Sequence, residues 1–158
     1  RYCYIGSMLL DSRLVPQTII SPRSFVGLMS VYESNYLRLL HLIPDLVQID
    51  GCYRSRVAGD CDLHVAIMEL SRYTITLTLT YYFQTDEGQV ADPDMLVRAY
   101  LDGQQAEAIS LGRKHRHIEF QRLVREQGRE LGARWDHNMV LNKWLDYLID
   151  QGHLILDR

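Results

Sequence analysis

The chain has 158 residues, 47% of them hydrophobic and 23% charged, a composition that suits one ordinary globular domain with its own buried core. A formal net charge of −3 gives no support to a general attraction to nucleic acid or to anionic membranes, so such a role would have to be local. Cys3, Cys52 and Cys61 form neither a CxxC pair nor an even disulfide framework, and reduced thiols in a cytosolic protein are the simpler reading.

In the first 23 residues, Asp11 and Arg13 interrupt the apolar side chains before a secretory core could develop, and a partly irregular extension is expected there. Met8 is a candidate natural start, with residues 1–7 an upstream extension. Residues 24–158 read as a single α+β domain, and no apolar run approaches the roughly 18 residues that a membrane span needs. Over residues 24–43, Phe25, Leu28, Met29, Tyr32, Tyr36, Leu39, Leu40 and Ile43 recur at spacings of three and four, the stripe of an amphipathic helix. Ser21 or Ser24 can cap its start and Pro44 follows its end, while Glu33, Arg38 and His41 fall on a solvated face.

Residues 46–112 read as a meander of five antiparallel strands. "VQIDGCYRSRV" is a weak first strand, "CDLHVAIME" a second and "YTITLTLTYYF" a third with a period of two. A three-residue loop of Leu70, Ser71 and Arg72 would set Ile67 against Ile75, Val65 against Leu77 and Leu63 against Leu79, uniting the apolar side chains on one face. It would also leave Glu69 opposite Tyr73 at the end of that apolar face. A carboxylate there must find a donor or be pushed towards its neutral form, so Arg72 or Arg98 is its expected partner. Thr74, Thr76, Thr78 and Thr80 line the other face with His64, Ala66 and Met68, as on a solvated pleated surface. Asp102 and Gly103 between "DPDMLVRAYL" and "QAEAIS" signal a hairpin that sets Tyr100 against Gln105, Ala99 against Ala106 and Arg98 against Glu107, the last as a cross-strand ion pair.

Residues 113–134 hold seven Lys or Arg and three Glu, a local balance of +4 in an otherwise acidic chain. Phe120, Leu123, Val124 and Leu131 could make a helical stripe there, weakened by Gly128. Arg113, Lys114, Arg116, Arg122 and Arg125 are candidate contacts for an anion or an acidic partner. His115 and His117 could share one side of a strand, but a third ligand is missing and no metal site is expected. In the final helix Leu141, Trp144, Leu145 and Leu148 form the buried stripe, with Asp136 as cap, Gly152 as terminator and "HLIL" as an extended close.

The helices are expected on the face of Leu63, Val65, Ile67, Ile75, Leu77 and Leu79. Neither a phosphate-cradling glycine loop nor a GxSxG, HExxH or EF-hand spacing occurs, and no cofactor is expected. The leading reading is therefore a non-catalytic cytosolic binding or adaptor protein, monomeric or weakly dimeric, with a protein or small-molecule partner. A small-ligand module, for instance for a nucleotide, comes second, with Glu69, Arg72, Tyr73, Arg98 and Tyr100 as its candidate site. A hydrolase or transferase comes third.

Four segments, "YESNYLRLLHLIPD", "MELSRYT", "VRAYLDGQQAEA" and "NMVLNKWLDYLIDQG", occur in the order found in the YqiB-like family, a proteobacterial domain of unknown function, and the chain resembles that family over roughly residues 25–152. The resemblance implies no catalytic residues and only a genomic setting near nucleotide metabolism and cyclic-nucleotide turnover. Between residues 113 and 135 the chain departs from the family, with "HIEFQRLVREQGRELGARWDH" in place of a "YPYPN" and "HQRDEK"-like run.

Overall fold

The computed structural model describes residues 22–111 and 130–156. Helix α1 spans Phe25–Leu42 and begins where Ser24, in extended conformation, accepts a hydrogen bond from the Gly27 N–H. Five strands follow: β1 (Cys52–Ser55), β2 (Leu63–Leu70), β3 (Thr74–Thr85), β4 (Gly88–Tyr100) and β5 (Gln105–Leu111). They form one sheet in the order β1-β2-β3-β4-β5, every neighbouring pair antiparallel. Helix α2 (Glu130–Asp150) and an extended segment complete the described chain. This is the α+β meander with an N-terminal and a C-terminal helix that the sequence predicts.

The core lies where expected. Leu63, Val65, Ile75, Leu77, Leu79, Met95, Val97, Ala99, Ala106 and Ala108 from the sheet pack with Tyr36, Leu39 and Leu42 of α1 and Leu141, Trp144, Leu145 and Leu148 of α2. The α1 stripe differs in membership: Phe25 is exposed, whereas Val31, Asn35 and Leu42 are buried. Phe25 sits in the first turn, beyond the reach of the core. Asp136 lies inside α2 and is not its cap, because the residues from Glu130 onward, six positions earlier, are already helical. Gly152, with φ of 89°, ends that helix as predicted: its N–H bonds to Ile149 O and the His153 N–H to Leu148 O, the paired bonds of a Schellman close.

The strands pair in a register that the pattern alone does not fix. Leu63 lies opposite Tyr81, Val65 opposite Leu79 and Ile67 opposite Leu77, two residues away from the expected partners. A slip of two keeps every side chain on its face, so both registers unite the same apolar set. A bulge between Ile67 and Glu69 then supplies an odd residue and sets Glu69 opposite Thr76 and Leu70 opposite Ile75. Glu69 thereby moves to the threonine face, not the apolar face expected for it. In the β4–β5 hairpin the predicted register holds, with Tyr100 opposite Gln105, Ala99 opposite Ala106 and Arg98 opposite Glu107. Its turn spans residues 101–104, and the left-handed residue is Gln104 (φ 50°) where a two-residue Asp-Gly turn would use Gly103. Pro93, which has no N–H to give a ladder, sits where the β3–β4 pairing is interrupted between Thr80 and Tyr82.

The outer edge of β5 is closed by helix side chains. Asn35 of α1 donates to Ala106 O (3.3 Å), and Asn138 of α2 accepts from the Ala108 N–H (2.9 Å). The two amides also bond to each other at 3.2 Å, and Asn142 adds a bond to Asn35 Oδ1. Buried amides thus satisfy main-chain groups that an edge strand would otherwise leave bare.

Candidate functional site

The β2–β3 turn is built by hydroxyl chemistry. Ser71 donates its N–H to Thr74 O, Thr74 returns its N–H to Ser71 Oγ, and the two hydroxyls lie 2.7 Å apart. This closure leaves Arg72 and Tyr73 at the apex, both exposed, with the Arg72 guanidinium 5.1 Å from the centre of the Tyr73 ring. Met68 and Leu70, beside the apex, are also exposed.

From this tip a polar strip runs across the outer face. Glu69, 64% exposed, approaches Arg98 at 4.0 Å, and Arg98 Nε donates to Thr76 Oγ1. The expected Arg98–Glu107 ion pair gives way to these contacts, because Glu107 is taken by other donors. Tyr100 donates to its Oε1 at 2.6 Å, Tyr32 of α1 to its Oε2 at 3.0 Å, and Arg134 of α2 lies 4.0 Å away. Burial, then the hydrogen bond and charge of Glu107, push the Tyr32 phenol up to about 12. The Glu107 hydrogen bond, then burial, raise Tyr100. Both phenols therefore stay protonated and donate at neutral pH. The threonine row is less solvated than its pattern suggests: Thr76 and Thr80 are buried, Thr76 bonded to Arg98 and Thr80 donating to Asp94 at 2.7 Å.

A second polar cluster lies on the core side. Asp60 accepts from Tyr81 (2.8 Å), Tyr147 (3.0 Å) and its neighbour's Cys61 N–H (2.8 Å), and lies 3.2 Å from His153 Nε2. His153 Nδ1 is 3.0 Å from Ser55 Oγ, which in turn accepts the Leu154 N–H. One pattern satisfies every partner: Nε2–H donates to Asp60, and the Ser55 hydroxyl donates to Nδ1. Burial is the largest influence on the Asp60 carboxyl and pushes it up, but the bonds from Tyr81, Cys61, Tyr147 and His153 together outweigh it and hold the carboxyl below its usual range. Burial and the bond to Asp60 raise the Tyr81 phenol.

Serine, histidine and aspartate in this order have the composition of a hydrolytic triad. Here the imidazole is 0% exposed and the carboxylate 1%, and the serine oxygen already holds a main-chain N–H. The cluster ties β1, the loop to β2, β3, α2 and the C-terminal segment around one carboxylate.

Of the five residues proposed from sequence, the structure joins Glu69 to Arg98 across the sheet and Arg72 to Tyr73 at the tip, while Tyr100 turns to Glu107. Arg113, Lys114, Arg116, Arg122 and Arg125, with His115, His117 and the Phe120, Leu123 and Val124 stripe, lie outside the described residues, and so do residues 1–21. Sequence reasoning gave no role to Asn35, Asn138, Asp60 or His153. The alternation of "HLIL" after a terminating glycine offered one signal, since it sends His153 and Ile155 to the same side, and both are buried.

Fold and site together define a small antiparallel-sheet protein, helices covering one face and one edge, with a polar strip and an aromatic tip on the other face. The chain belongs to the family described as protein of unknown function DUF1249, whose model matches residues 38–154. No curated protein and no solved structure matches the chain. Among the described residues, no helix is long and apolar enough to cross a membrane.

Proposed function

We propose that this chain is a non-catalytic binding or adaptor domain that meets a protein partner through the β2–β3 tip and the adjoining strip. The tip carries the proposal: exposed Arg72 lies over exposed Tyr73, flanked by exposed Met68 and Leu70. Tyrosine, arginine and methionine are enriched at interface centres, where stiff amphipathic surface gives large burial for little lost freedom. The partner's surface would offer an apolar side chain to Tyr73 and Met68 and a carboxylate to Arg72. A cytosolic setting, with Cys52 and Cys61 as reduced thiols, and a YqiB-like, proteobacterial origin belong to the same proposal, supported by the four ordered segments. So do a single domain over residues 24–158 behind an extension, a monomeric or weakly dimeric state, and a secondary contact through Arg113, Lys114, Arg116, Arg122 and Arg125.

The test is parallel affinity capture from native cytosol with the wild type and the Arg72→Ala/Tyr73→Ala double variant, followed by mass spectrometry of proteins and small molecules. Both exposed side chains can be truncated with little effect on thermal unfolding, which is the control. A protein recovered by the wild type and lost with the variant supports the proposal, and equal recovery by both overturns it. The second reading, a small-ligand module of nucleotide type, rests on Arg98 and Tyr100 sharing the strip. It gains support from a small molecule that co-purifies with the wild type and is lost on Arg98→Ala.

A further inference from the structure

We draw no further inference here: the strongest candidate, the Ser55–His153–Asp60 cluster buried between β1 and the C-terminal segment, has its polar groups taken up within the core, and nothing in the structure shows a ligand or substrate that it would meet.

Discussion

Two acids in this chain do opposite work. Asp60 is buried and surrounded by donors, so Asp60→Asn turns an amide N–H toward groups that also donate. A loss of about 3 kcal/mol is expected in urea melts at pH 7. The hydrogen bonds hold its carboxyl below the ordinary 3.8, so its contribution is complete above that value and disappears as pH falls through the lower folded value. Stability measured against pH should therefore drop more steeply below about pH 4 in the wild type than in Asp60→Asn. Parallel acid limbs would show that Asp60 is not the group responsible. Glu69 was expected from sequence to be a paired, buried charge. As an exposed group 4.0 Å from Arg98, it forms a surface pair, and such pairs contribute about 0–1 kcal/mol. Glu69→Gln should change stability by less than about 0.5 kcal/mol, and a double-mutant cycle with Arg98→Gln should show coupling no larger than that. A coupling above about 1 kcal/mol would restore the stronger role.

At the scale of elements, existence and face were legible while exact pairing was not. Alternation in β2 and β3 identifies which side chains turn inward, but registers that differ by two are equivalent to it. The bulge at Met68 decided the position of Glu69, and no local residue type announces it. In the β4–β5 hairpin the turn signal fixed the register, even though the left-handed residue proved to be Gln104. The helix asparagines were invisible for another reason. A polar residue at a stripe position reads as an interruption until a main-chain edge is placed beside it. Asn138→Ala strips the Ala108 N–H and Asn35 of their buried partner, so a cost of about 1–3 kcal/mol is expected. The Ala108 amide should also exchange with solvent faster than its neighbours in hydrogen-exchange NMR. Unchanged protection at Ala108 would mean that another group takes over the bond.

Across the whole molecule, protection should follow position in the sheet. Strands β3 and β4 are flanked on both sides and supply Leu77, Leu79, Met95 and Val97 to the core, whereas β1 has four residues and one neighbour. Native-state hydrogen exchange should therefore be slowest in β3 and β4 and fastest, among the strands, in β1. Exchange in β1 as slow as in β3 would show that the Asp60 cluster, through Ser55, locks this edge as firmly as the ladder locks the centre. The polar cluster itself was the least legible feature, because Ser55, Asp60, Tyr81, Tyr147 and His153 are scattered over almost a hundred positions. Only the folded chain brings them to one carboxylate.

The amides at β5 also limit how copies of this sheet can associate. Open-ended growth by strand pairing needs two different free edges, so that each added copy offers a new one to the next. With Ala106 bonded to Asn35 and Ala108 to Asn138, this stretch of β5 is already closed, and among the described strands edge pairing is left to the β1 side. Like edges can join only head to head. Among the described strands, such contact closes at two molecules and offers no further edge from which a fibre would grow.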